Sequence, residues 1–154
     1  MQARNPLSIV TSLALAVMVC ATVVRAQDAE KPQKVRLKAV MILASNRVAP
    51  PDSRLQHLES KLRRVFGFQH YKHHGSGSTS VTLPGDSRID LGGGHILKLS
   101  AAKAEKNRVR VNVKWLRGKK SLLQTTVVMK KGSPTILGGP SHENGTLLIA
   151  LQAN

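Results

Sequence analysis

Apolar and polar residues alternate along much of this chain, a pattern typical of β-strands that bury one face. The clearest run is residues 108–116, in which three valines and Trp115 alternate with polar residues. Residues 35–43 alternate in the same way, but their second half is apolar on both faces. This run therefore predicts a strand that is covered on both sides.

Further short runs of the same kind follow, separated by residues that favour turns. The additional predicted strands are 68–74, 78–83, 95–100, 121–129, 134–137 and 146–151. Turns or breaks are predicted at Gly75-Ser76-Gly77, Pro84-Gly85-Asp86, Gly92-Gly93-Gly94, Gly138-Gly139-Pro140 and Asn144-Gly145. Residues 117–120 are predicted to join two strands as a hairpin.

Residues 52–66 carry a helical pattern instead. Their leucines and Val65 fall within a stripe about 100° wide, which is the usual width of a face packed on a core. Asp52 or Ser53 is placed to cap the start of the helix, and Gly67 follows its end. We expect one amphipathic helix here.

These elements predict an α+β domain. It is expected to be a mostly antiparallel β-sheet or sandwich of about seven to eight short strands. The helix, at about residues 52–66, follows the first strand and covers one face of the sheet.

The amino terminus has the pattern of a secretory signal peptide. A cation is followed by a mostly apolar stretch and by Val24-Arg25-Ala26, which fits a cleavage site after residue 26. The predicted organisation is a signal peptide at 1–26, a short polar tether at 27–34 and a single β-rich domain at 35–154. Retention of the segment as an uncleaved anchor is the alternative. The expected location is periplasmic or secreted, with no membrane span after cleavage.

Composition narrows the chemistry of the domain. Cys20 is the single cysteine and leaves with the signal, which excludes disulfides and thiolate chemistry from the mature chain. Of the 24 lysines and arginines, only Arg4 and Arg25 precede the tether, whereas all eight acids follow residue 26. The mature chain thus has 22 cations and 8 acids, a net charge of +14, which favours anionic partners.

Strand periodicity places several cations on solvent-facing positions. The predicted polyanion-binding residues are Arg36, Lys38, Lys98, Arg108, Arg110 and Lys114. An ordinary solvated sheet face is the alternative interpretation. Acidic polysaccharide or lipid headgroups are the ligands that an exported basic protein would meet, and nucleic acid is disfavoured because few aromatic residues are available for base stacking.

Histidines at 70, 73 and 74 are the densest group of potential metal ligands. His70 and His74 lie far apart along a strand, and Lys72 between them would repel a cation. We therefore predict no metal site and no cofactor, with His70, His73 and His74 as weak candidates. Ser100 and Lys103 match a serine-x-x-lysine pattern, but the other elements of that acyltransferase machinery are missing.

The sequence favours a non-enzymatic protein. The leading hypothesis is an exported interaction or accessory component of an envelope assembly, with a protein partner in the cell envelope. Docking of a partner strand against the apolar strand 146–151 would be one route. The alternative is binding of a polyanion or an anionic membrane surface through a basic sheet face, and a small hydrolase or metal protein using the histidines is the third.

Overall fold

A computed structural model describes residues 31–154. The predicted signal peptide at 1–26 and residues 27–30 of the predicted tether lie outside the described residues. The strands are β1 (Gln33–Ser45), β2 (His70–Leu83), β3 (Gly85–Gly92), β4 (His95–Ala104), β5 (Arg108–Arg117), β6 (Lys120–Lys130), β7 (Thr135–His142) and β8 (Gly145–Ala153). A 3-10 turn, Ser53–Leu55, leads into the helix α1 (Gln56–Val65).

The strands form two antiparallel sheets of four. Sheet A has the order β2-β1-β8-β7, and sheet B has the order β3-β4-β5-β6. The predicted fold class is confirmed: the domain is a mostly antiparallel β-sandwich with one short helix after the first strand. In residues 31–154, no helix is long and apolar enough to cross a membrane.

The main core lies between the two sheets, where inward-facing residues of successive strands meet. Leu37 of β1, Leu97 of β4, Val111 and Trp115 of β5, and Ile149 of β8 are all fully buried. Their neighbours along each strand point outward, so the alternation seen in the sequence corresponds to the two faces of each sheet.

A second core lies on the other side of sheet A, under α1. Leu55, Leu58 and Leu62 pack there against the outward side chains of β1 and β8, including Ile42 and Leu148. Because the helix covers this face, β1 and β8 are apolar on both sides in this region. The predicted two-sided burial of the first strand is confirmed.

Polar contacts fix the 3-10 turn that leads into α1 and the end of α1 itself. Asp52 accepts a hydrogen bond from the backbone N–H of Arg54 at 3.1 Å, as an N-capping carboxylate does. The Arg54 guanidinium, whose Nη2 is 2.7 Å from Asp52 Oδ2, holds the pKa of that carboxyl well below its usual value. At the other end, the Tyr71 hydroxyl lies 2.7 Å from the Phe66 carbonyl oxygen, which ties β2 to the helix terminus.

The predicted break at Gly75-Ser76-Gly77 is wrong, because β2 runs unbroken from residue 70 to 83. Glycine is required at positions 75 and 77 because β3 crosses close to β2 here and leaves no room for a side chain. A Cβ at Gly75 would overlap the Leu91 carbonyl oxygen, and one at Gly77 would be 2.5 Å from Ile89 Cγ2. A bulge between β1 and β2 accompanies the crossing and leaves His74 without a partner across the ladder.

Other predicted breaks are also incorporated into strands. Residues 138–140 lie within β7, at an irregularity of its pairing with β8, and only Pro84 separates β2 from β3. The turn before β8 consists of Glu143 and Asn144, with Glu143 at a φ of 50°, and not of Asn144 and Gly145. Strand β1 begins at Gln33, two residues before the predicted start of the domain at residue 35.

Strand β8 is central in sheet A, between β1 and β7. The hypothesis that the apolar strand at 146–151 offers a free edge to a partner is therefore wrong. Its backbone groups already pair with two strands, and the free edges of the sandwich belong to other strands.

Candidate anion-binding surface

Three cations lie side by side on the outer face of sheet B. Arg88 of β3 is opposite Lys98 of β4, which in turn is opposite Lys114 of β5. We call these three residues the cation row. Neighbouring strands are about 4.8 Å apart, so the three residues of the row span roughly 10 Å across the sheet. Arg88 and Lys98 are exposed, and Lys114 is half-buried.

Polar groups form the next line across the same face. Ser100 of β4 is opposite Asn112 of β5, and Asn112 Nδ2 donates a hydrogen bond to Thr126 Oγ1 of β6 at 3.1 Å. A shallow depression of about 510 Å³ lies over both lines. It is lined by Asp86, Ser87, Arg88, Lys98, Leu99, Ser100, Asn112 and Lys114.

The basic surface continues along β5. The alternate positions of β5 are occupied by Arg108, Arg110, Asn112 and Lys114. All four side chains point outward, at intervals of about 6.8 Å along the strand. Arg108 is opposite Lys130 at the edge strand β6, which adds a further cation. Positive charge thus extends both across the strands and along one of them.

Two carboxylates of β3 share this face, Asp86 opposite Ser100 and Asp90 opposite Ile96, and neither forms an ion pair within 4.0 Å with the cation row. Asp90 is occupied locally, since its Oδ1 accepts a hydrogen bond from the backbone N–H of Gly92 at 2.9 Å. Among residues 31–154, no ion pair within 4.0 Å involves the cation row. Like charges directly opposite on neighbouring strands repel each other, and a bound anion would relieve that repulsion.

The six cations predicted from the sequence do not share one face. Lys98, Arg108, Arg110 and Lys114 are brought together on the outer face of sheet B. Arg36 and Lys38 lie on the outer face of sheet A, on the opposite side of the sandwich. Arg36 Nη2 is also engaged there, at 3.3 Å from Ser78 Oγ.

Sequence reasoning missed Arg88 and Lys130. The signal for Arg88 was present, because Ser87, Ile89 and Leu91 alternate with Arg88 and Asp90. Turns are predicted on both sides of that stretch and no strand within it, whereas it forms β3 with Ile89 and Leu91 buried.

The three candidate metal-binding histidines have separate environments. His70 Nε2 is 3.2 Å from the Pro50 carbonyl oxygen, and the backbone N–H of His73 donates to Asp52 Oδ2 at 3.0 Å. The His74 ring lies against His142 instead. In the part of the chain that the structure describes, no three His, Cys, Asp or Glu side chains are arranged to hold a metal ion.

The serine-x-x-lysine pattern falls on a strand. Ser100 and Lys103 both belong to β4, where residues three apart point to opposite faces. The acyltransferase arrangement needs a helix that starts at the serine, so the match has no structural counterpart here.

The described domain is thus a two-sheet antiparallel sandwich with a basic outer face on sheet B. No protein-family model, no curated protein and no solved structure matches the chain. The chemical character of the basic face is therefore what bears on function.

Proposed function

We propose that this protein is an exported, non-enzymatic binding domain that holds an anionic polymer on the outer face of sheet B. The observation that carries the proposal is the cation row, Arg88, Lys98 and Lys114, which is aligned across three strands. Export is proposed from the amino-terminal sequence pattern alone.

A sheet surface suits this task because its backbone is already ordered before the ligand arrives. The positions of the cations are fixed by hydrogen-bonded strands, so binding orders only the side chains. When an anionic polymer binds such a surface, its condensed counterions are released into solution and their entropy rises. Binding of this kind weakens steeply as salt is added.

Acidic polysaccharide is the ligand class that this face fits best. The hydroxyl and amide groups of Ser100, Asn112 and Thr126 lie next to the cations and suit a polymer of acidic and hydroxyl groups. Trp115 and Tyr71 are buried, so neither is available on this face to stack on a base. An exported protein also meets extracellular polysaccharide more readily than nucleic acid.

The test compares two triple variants of equal net charge. Arg88→Gln, Lys98→Gln and Lys114→Gln together remove the cation row. Arg36→Gln, Lys38→Gln and Arg64→Gln remove three exposed cations from other parts of the surface. Affinity for a sulfated polysaccharide such as heparin is measured by titration at several salt concentrations.

We expect the cation-row variant to lose at least about tenfold in affinity, with a salt dependence that is shallower by about two to three units. The control variant should lose far less. Equal losses would mean that net charge alone attracts the polymer, and the proposed site would then be abandoned. If the protein bound anionic lipid vesicles or single-stranded nucleic acid more tightly than the sulfated polysaccharide, the ligand would belong to that class instead.

A protein partner in the cell envelope is the second candidate. Strand β6 is a free edge of sheet B, and its Val128 is 49% exposed, in a run of β-branched residues that suits strand addition. A photo-crosslinking residue at position 128 should capture a partner in the native host. The same probe at Val65, 55% exposed on the helix, is the control. Capture of the same proteins at both positions, or of none, would remove this candidate.

A further inference from the structure

Three histidines from three different strands lie together at one end of the sandwich. His74 is in β2, His95 begins β4 and His142 ends β7. The rings of His74 and His142 have centroids 5.4 Å apart, and the His95 ring is 5.7 Å from that of Trp115. We call this group, together with Trp115, the histidine end.

His95 is the buried member, with only 2% of its surface exposed. Its Nδ1 accepts a hydrogen bond from Trp115 Nε1 at 3.1 Å. An indole N–H can only donate, so Nδ1 must carry a lone pair and the ring proton must be on Nε2. A second proton on this ring would occupy Nδ1 and point at the indole N–H, so that the hydrogen bond could not persist.

The charges around the histidine end oppose that second proton. Burial is the main cause that lowers the pKa of His95, and Arg117 of β5, His74 and His142 lower it further. Burial and then His142 lower the pKa of His74, as do Lys72 and Arg117, whereas Glu143 raises it by less than these lower it. Glu143, whose Oε1 is 3.6 Å from His142 Nε2, is the acid on this side, and its side chain is 72% exposed.

Trp115 connects sheet B to β7 of sheet A. It is fully buried, and a Cβ at Gly139 of β7 would overlap its Cζ3. Strands β6 and β7 belong to different sheets and do not pair, so side-chain packing holds the sheets together at this end. At the other end, the backbone N–H of Gly132, between β6 and β7, donates a hydrogen bond to the Ala153 carbonyl oxygen at 2.7 Å. Loss of the His95 hydrogen bond would loosen the residue on which β7 rests.

We propose that the histidine end is an acid-sensitive closure, which holds the end of β7 against sheet B at neutral pH and releases it when His95 takes up a second proton. The device is independent of the proposed ligand. It would make the sandwich respond to acidification of its surroundings by opening at the end where β7 finishes at His142, while the start of β7, whose Ile136 packs on the core under α1, stays in place.

The direction of the pH effect follows from the lowered pKa values. The opened or unfolded chain binds protons near the ordinary histidine pKa of 6.5, whereas the closed form resists them. The closed form is therefore not weakened by these histidines above that value, and it becomes progressively less stable as the pH falls below it. Each of the two histidines shifts the equilibrium toward the open form by up to about tenfold per pH unit.

Trp115 is the single tryptophan, so its fluorescence reports on the closure directly. On acidification from about pH 7.5 to about pH 5 we expect its emission to shift to the red. Hydrogen exchange, corrected for the intrinsic effect of pH, should rise in the end of β7 and the start of β4 before it rises in α1. His95→Gln keeps an acceptor but does not titrate. The equilibrium between the closed and open forms should therefore change less with pH in this variant, by up to about tenfold less per pH unit.

His57→Gln is the matched control, since His57 is exposed on the helix. It should leave the pH dependence unchanged. An equal pH dependence in wild type and His95→Gln would overturn the proposal, as would exchange that rises in α1 and the end of β7 together. If His95→Gln does not fold, NMR of the wild-type imidazoles is the test. The neutral His95 ring should have its proton on Nε2, and its pKa should lie below the ordinary histidine value. A pKa at or above that value would overturn the proposal.

Discussion

Gly75 shows how a missing side chain determines the path of the chain at the scale of one residue. Its backbone lies against the Leu91 carbonyl of β3, and its φ is not in the left-handed region, so the constraint is steric. Glycine in a sequence indicates either a turn or a close approach, and the approaching strand here comes from a distant part of the chain. That ambiguity is why a turn was predicted where β2 continues.

Gly75→Ala is therefore expected to destabilise the domain. The added methyl would force β2 and β3 apart, and overpacking of this kind lowers the free energy of unfolding by about 1–3 kcal/mol. Gly67→Ala is the control, because a Cβ at Gly67 would have no atom within 4 Å. Its effect should stay within about 0.5 kcal/mol. Urea denaturation measures both, and similar values for the two variants would contradict the steric explanation.

At the scale of elements, local signals were sufficient for the helix and for several strands. The leucine spacing and the capping carboxylate at Asp52 predicted residues 52–66, and the structure has the 3-10 turn and α1 within these bounds. The hairpin of β5 and β6 was predicted by alternation around residues 117–120. The position of β8 between β1 and β7 could not be predicted, since alternation does not say which strands pair.

The helix is expected to contribute through its buried face. Leu62 is fully buried between α1 and sheet A, so Leu62→Ala should lower the free energy of unfolding by about 2–5 kcal/mol. Val65 is on the same helix but 55% exposed, and Val65→Ala should have an effect below about 1 kcal/mol. Thermal or urea denaturation compares them, and a Leu62→Ala variant as stable as Val65→Ala would mean that the helix is not packed as described.

At the scale of the whole molecule, the candidate site was only partly predictable. Alternation correctly placed Lys98, Arg108, Arg110 and Lys114 on an outward face. It could not show that Arg36 and Lys38 lie on the opposite side, because that depends on which sheet β1 joins. Arg88 was missed with the strand that carries it.

The excess of cations also predicts a response of the folded state to salt. Repulsion among the many exposed lysines and arginines is greater in the compact domain than in the unfolded chain, and salt screens it over a Debye length of about 10 Å at 0.1 M. Raising sodium chloride from about 20 mM to about 300 mM at neutral pH should therefore raise the melting temperature. A melting temperature that falls with added salt would show that favourable ion pairs outweigh the repulsion.

The pairing of β1 with β8 determines when the domain can fold. These strands lie at opposite ends of the described chain, yet Leu37 pairs with Ala153 and Ser45 with Gly145 in the middle of sheet A. The ribosome synthesises β1 long before β8, so the pairing of β1 with β8 cannot form until β8 has been made. Folding should accordingly be slow, as in other domains with pairings between distant segments. A chain that remains open until β8 has been made would still pass through a narrow channel, as the proposed export requires.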